Sequence, residues 1–199
     1  MANLTAATAQ HAADSHPLRR PPPPRADPFV FRRVLGHFPT GVVVVTALHE
    51  DTPVGFAVGS FASVSLDPPM VGFFPAKAST TWPRIQQAGA FVVNVLGDHQ
   101  REICQAFATS GGDKFRAVPW HRAGNGAPVI HGASAWIECD IGTVTEAGDH
   151  WFVLGRVRDL AVGNDCGPLL FFQGRYASLA GRPGHEGRPG GETGGTPGP

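Results

Sequence analysis

Two short segments of this chain gather side chains able to do chemistry. Lys77-Ala78-Ser79-Thr80-Thr81 sets an ammonium and three hydroxyls together where an apolar run gives way to a helical pattern. Free amides at a helix start, hydroxyl donors and a full positive charge are what a phosphate group needs. Plain capping of the helix by Ser79 or Thr80 accounts for the same residues equally well. Gly148-Asp149-His150 places a carboxylate beside an imidazole at the head of the apolar run Trp151-Phe152-Val153-Leu154. Gly-Asp also suits a tight hairpin turn, which would leave His150 as an ordinary strand-opening residue.

A third segment, Gly55 to Pro69, suits a flat ligand with polar edges. If a strand begins at Gly55, its period-two geometry puts Ala57 and Gly59 on one face and Phe56 and Val58 on the other. The first face is then nearly bare backbone, open to a planar ring. Ser60, Ser63 and Ser65 add hydroxyls that donate or accept. A glycine bulge in an ordinary barrel strand is the alternative reading of the same residues.

The elements that must position these groups are mainly strands. Asp27-Pro28 forms an N-cap and first-turn proline, and the apolar spacing after it predicts a helix over 28–37. Val42 to Thr46, Val54 to Val58, Ala62 to Leu66, Pro69 to Phe74 and Phe91 to Leu96 read as strands. A helix runs from Ser79 or Thr80 through Gln87, and a helical stretch from Asp98 through Phe107. Ser134 to Thr145, His150 to Val162 and Pro168 to Tyr176 complete the strands. No regular strand–helix alternation appears, so antiparallel pairing is expected, in a mainly β barrel with a few short helices.

Composition narrows the partner. Lys plus Arg and Asp plus Glu number 16 each in 199 residues, so there is no overall basic field for nucleic acid or a membrane surface. A small-molecule partner is expected. Cys104, Cys139 and Cys166 are far apart with no Cys-x-x-Cys pair, which argues against disulfides and a zinc site and for a reducing cytoplasm. Nine histidines lack metal-ligand spacing, so no metal is expected. No signal peptide or membrane span is evident. Residues 1–26, with Pro21 to Pro24, and residues 180–199, rich in Gly and Pro, are expected as disordered tails around one domain at 27–179.

Dinucleotide, P-loop, zinc-protease and nucleophile-elbow motifs are all absent. In order along the chain stand Phe38-Pro39-Thr40-Gly41 with Val42 to Thr46, the Gly55 to Pro69 stretch, Ser79-Thr80-Thr81, Phe91 to Leu96, Asp113-Lys114-Phe115, Gly148-Asp149-His150 and Pro168 to Phe172. Together these resemble the flavin reductase family, the reductase components of two-component flavin-dependent monooxygenases, over about residues 29 to 178. The resemblance implies a split β-barrel related to other FMN-binding barrels, and a homodimer with flavin sites near its interface. It implies FMN or FAD as flavin, NADH or NADPH as hydride donor, and a separate monooxygenase as partner.

By position, the resemblance puts Thr40, Ala57, Val58, Gly59, Ser60, Ser63 and Ser65 along the flavin. It puts Lys77, Ser79 and Thr81 at the phosphate or ribityl region, His150 near the nicotinamide, and Arg175 and Tyr176 in a C-terminal stretch that approaches the flavin. Many relatives read Thr-Ala-Asn-Ser or Thr-Ala-Ser-Ser where this chain has Ala57-Val58-Gly59-Ser60, so the resemblance implies that backbone contacts survive there while side-chain contacts from positions 57 and 59 do not. Hydride transfer from nicotinamide to flavin asks for stacking and aimed backbone donors more than for acid or base residues. A flavin- or haem-binding module without turnover, and a self-sufficient flavin-dependent oxidase or oxygenase, stay open on these residues.

Overall fold

The computed structural model of the protein describes residues 27–179; the two tails expected at 1–26 and 180–199 lie outside the described residues. The chain begins with helix α1 (Pro28–Leu35), whose start is fixed as expected: Asp27 Oδ1 accepts the backbone N–H of Phe29 at 2.7 Å and of Val30 at 3.3 Å. The helix stops at Gly36, two residues short of the predicted end.

The β-branched and alternating runs become strands β1 (Thr40–Gly41), β2 (Val43–His49), β3 (Thr52–Val58), β4 (Ala62–Leu66) and β5 (Pro69–Phe73). Helix α2 (Trp82–Ala88) and β6 (Ala90–Val95) come next, then a 3-10 turn (Asp98–Gln100) leading into α3 (Arg101–Ala108). A hairpin of β7 (Trp120–Arg122) and β8 (Pro128–Ile130), not foreseen in the sequence, precedes the long pair β9 (Ala135–Ala147) and β10 (His150–Val162). The segment expected as one strand from Pro168 to Tyr176 is instead a hairpin of β11 (Leu170–Phe172) and β12 (Arg175–Ala177). Gln173 and Gly174 have φ of 46° and 77°, the two consecutive left-handed residues of a two-residue hairpin turn, which no extended strand can contain.

Seven strands form one antiparallel sheet in the order β3-β2-β6-β9-β10-β5-β4. Although β3 and β5 sit near opposite edges of that order, Val54 and Val58 share one buried cluster with Val71 and Phe73. The sheet is therefore rolled around a common core while its edge strands β3 and β4 stay unpaired with each other, which is a split barrel. Phe73, fully buried, makes edge-on contacts with Trp82 at 5.9 Å and Phe91 at 5.3 Å between ring centres. Each such ring contributes about 1.5–3 kcal/mol by leaving water.

A second cluster lies on the other side of β2 and β3, where Val42, Val44 and Leu96 meet Phe107 and Phe115. This cluster seats α3 and the turn after it. Buried Asn94 on β6 donates to the carbonyls of Val44 and Pro128 and accepts the Ile130 N–H at 2.7 Å, tying the β7–β8 hairpin to the barrel. No helix among the described residues is long and apolar enough to cross a membrane.

Candidate functional site

A cleft of about 540 Å³ opens where the end of β3, the segment after β5, the end of α3 and the start of β10 converge. That volume is within the roughly 300–1,000 Å³ of small-molecule sites. Its floor comes from β3 and the two residues after it. The pleat sends Val54, Phe56 and Val58 toward the barrel core and Ala57 toward the α3 cluster, and Gly59 and Ser60 carry the chain on past the strand's end. The Ser60 hydroxyl accepts the Phe74 N–H at 3.1 Å, joining the floor to the wall made after β5.

The wall holds Ser79, Thr80 and Thr81. The N-cap of α2 is Thr81, with no side-chain capping bond, rather than Ser79 or Thr80; Ser79 Oγ instead accepts the Trp82 N–H at 3.1 Å from two residues upstream of that cap. Opposite stand Phe107, Thr109 and Ser110 at the end of α3, and Lys114 beyond them. A side chain at Gly55 would put its Cβ 2.8 Å from Phe107 Cε1 and 2.9 Å from the Val45 carbonyl oxygen. The bare position lets α3 lie directly on β3. It also brings two carbonyls within reach of one ammonium: Lys114 Nζ donates to Gly55 O at 3.3 Å and Phe107 O at 3.2 Å. Partial burial pushes the Lys114 pKa below the ordinary lysine value.

His150 also lines the cleft. It comes after a two-residue turn in which Gly148 takes φ of 66°, so the hairpin reading of Gly-Asp holds and the turn itself delivers the imidazole to the cleft. Its Nδ1 lies 2.7 Å from Asp149 Oδ1, and the hydrogen bond with His150 holds the Asp149 carboxyl below its usual range.

Of the residues marked in the sequence, the structure brings Ala57, Val58, Gly59, Ser60, Ser79, Thr81 and His150 to one cleft. Thr40 borders it from an adjoining groove, its hydroxyl filling the space where a Gly59 Cβ would stand at 3.0 Å. Ser63 and Ser65 stay outside, on the edge strand β4 facing β5. Lys77 also turns away: its ammonium is 3.2 Å from Glu146 Oε2 and 5.1 Å from the centre of the Trp151 ring. Arg175 lies exposed on β12, and Tyr176 packs on the α3 cluster with its hydroxyl 3.2 Å from Cys104 Sγ; neither lines the cleft.

The cation of the cleft is thus Lys114 rather than Lys77, and the α3 end supplies hydroxyls not foreseen in the sequence. The sequence signal was present in Asp113-Lys114-Phe115, but nothing local connects it to Gly55. Among the described residues, no group of three or more His, Cys, Asp or Glu is placed to hold a metal ion.

The residues fit a flat ligand with an anionic tail. Small side chains at Ala57 to Gly59 make the floor, and the walls add hydroxyls and one ammonium. Comparison with known proteins agrees. A flavin reductase of Pseudomonas putida is 50% identical over 155 residues, covering 77% of this chain and 91% of the relative. The reductase subunit HsaB of a flavin-dependent monooxygenase from Rhodococcus jostii is 42% identical over 153 residues, 77% of this chain and 78% of that protein. The solved structure of the NADH:FAD oxidoreductase SgcE6 of Streptomyces globisporus with NAD and FAD fragments superposes with a TM-score of 0.74 at 38% identity, covering 77% of this chain and 93% of that one. Residues 35–180 match the flavin reductase like domain, and the chain belongs to that family.

Proposed function

We propose that this protein is an NAD(P)H-dependent flavin reductase that passes hydride from nicotinamide to FMN or FAD and hands the reduced flavin to a separate monooxygenase. The observation that carries the reading is a single cleft that brings a small-residue floor, the His150 imidazole, the hydroxyls of Ser79, Thr80 and Thr81 and the Lys114 ammonium together. Bound flavin supplies the two-electron acceptor and the reduced nicotinamide supplies the hydride.

The chain's own part is to hold and orient. Ala57, Val58 and Gly59 offer backbone and little bulk to a planar ring, and Ser60 sets the position of that floor through Phe74. Ser79, Thr81 and Lys114 receive the anionic end, with Thr40 supporting the floor from behind. His150, oriented by Asp149, positions the nicotinamide or its carboxamide. Backbone donors already fixed along the floor stabilise negative charge as it builds on the ring edge.

A second copy of the chain completes the assembly in this reading. Helix α1 has no buried residue, and Phe29, Phe31 and Leu35 expose more than half of their surface. A groove from Phe31 and Leu35 to Phe74 and His150 joins that apolar face to the cleft, so a homodimer partner seated there would wall the site.

The deciding experiment measures NADH and NADPH oxidation with FMN and with FAD, aerobically and anaerobically, together with the flavin content of the purified protein. Turnover that depends on added flavin is the expected result. Absence of nicotinamide oxidation with either flavin refutes the reading.

A further inference from the structure

The β7–β8 hairpin carries two histidines that the cleft does not use. His121 stands opposite Val129, and one pair further along the register the His131 N–H donates to the Pro119 carbonyl at 3.0 Å, which makes His131 the diagonal neighbour of His121 on the same face. Their ring centres lie 5.2 Å apart with the planes inclined at 40°. Both residues are exposed, and neither imidazole has a hydrogen-bond or ion-pair partner among the described residues. Spacing along the sequence does not reveal the pair, because the hairpin itself brings it together. We propose that His121 and His131 jointly bind one divalent transition-metal ion of the zinc or copper(II) type.

The geometry fits chelation. Two imidazoles bound to one tetrahedral ion at a metal–nitrogen distance of about 2.0–2.1 Å hold their ring centres roughly 5 Å apart. The pair already has that spacing. The backbone beneath is fixed without metal, since buried Asn94 accepts the Ile130 N–H at 2.7 Å and donates to the Pro128 carbonyl at 3.3 Å. An arriving ion therefore meets a preformed site and has little to order.

The donor type sets the ion. Imidazole nitrogen suits zinc, copper(II) and nickel, whereas magnesium and calcium take oxygen ligands. No third His, Cys, Asp or Glu among the described residues completes the set. The remaining positions are left to water, so the ion is exchangeable and sits on the surface rather than in a closed structural site.

Isothermal titration of the full chain with Zn²⁺, and with Mg²⁺ as control, tests the pair in the wild type, His121→Asn, His131→Asn and the double variant. The wild type is expected to show a Zn²⁺ site that either single substitution weakens about tenfold or more, that the double variant weakens no further, and that Mg²⁺ does not fill. Such non-additivity marks one ion shared by two rings. Zn²⁺ held at histidines elsewhere in the chain is expected to be the same in all four proteins.

Wild-type affinity in both single variants overturns the proposal and leaves the two rings in contact only with each other. Losses that add in the double variant overturn it too, because they mean two separate weak sites.

Discussion

Lys114 Nζ donates to the carbonyl of Gly55 at 3.3 Å, so the cation lining the cleft is held by the strand that forms its floor. The same ammonium bonds the carbonyl of Phe107, which makes it a strap between α3 and β3 as well as a charge for an anion. Replacing it by methionine keeps the stem and removes both functions. Lys114→Met is expected to weaken flavin binding about tenfold and to lower stability by about 1 kcal/mol, read by flavin titration and urea unfolding. Unchanged flavin affinity would take Lys114 out of the site.

His150→Ala is expected to lower kcat/KM for NADH about tenfold, chiefly through KM, because orientation of the nicotinamide is lost while the flavin floor is intact. Steady-state kinetics at saturating flavin separate the two constants. If both stay at wild-type values, His150 has no part in the reaction.

Asp149 gives this pair a pH signature. The hydrogen bond with His150 lowers the folded-state pKa of Asp149 from 3.8, so its stabilising effect is present above that unfolded value and disappears as pH falls through the lower folded one. The difference in urea midpoint between the wild type and Asp149→Asn should be present just above about pH 4 and vanish as pH falls below it. A difference that persists undiminished once the pH is far below the carboxylate range contradicts the pairing.

Gly55→Ala forces a methyl against Phe107 and the Val45 carbonyl. The cost is expected at about 1–3 kcal/mol in urea unfolding, with a displaced α3 and weaker flavin binding. A variant as stable as the parent would show that α3 can shift without penalty.

Tyr176 is the only tyrosine in the chain, which makes its phenol directly visible by tyrosinate absorbance. Burial, with the Cys104 hydrogen bond next, pushes it from 10.0 up to about 12. Its contribution to stability is complete below the unfolded value of 10.0 and is lost as pH rises through about 12. Native protein should therefore show no tyrosinate at pH 10.0, where protein unfolded in urea is half ionised.

Much of this architecture was legible because local chemistry decided it. Asp27-Pro28 set the start of α1, β-branched runs set β2 and β6, and Gly148-Asp149 set the turn that delivers His150. The choice between two lysines was not legible: Lys77 is drawn off by Glu146 and Trp151 on the β9–β10 hairpin, and Lys114 is recruited by carbonyls on β3 and α3. Both outcomes are tertiary. The serines separate for a similar reason, since β3 ends at Val58, leaving Ser60 free to cross to Phe74 while Ser63 and Ser65 enter the edge strand. The β11–β12 turn hid in Gln173-Gly174 because glutamine seldom takes a left-handed backbone.

The pairing of Thr40 with Phe171 and of Gly41 with Leu170 acts as a clasp that joins the two ends of the described chain. It is extended by the Val42 N–H donating to the Leu169 carbonyl at 3.1 Å and the Gln173 N–H donating to the Gly36 carbonyl at 3.0 Å, and it closes nearly the whole domain into a loop, so its closure entropy is large. Opening of the clasp ahead of the barrel is the expected outcome, with amide exchange faster at Thr40 and Phe171 than at the buried Val45 and Val93. Because Thr40 backs Gly59, each opening also loosens the floor on which the ring would rest.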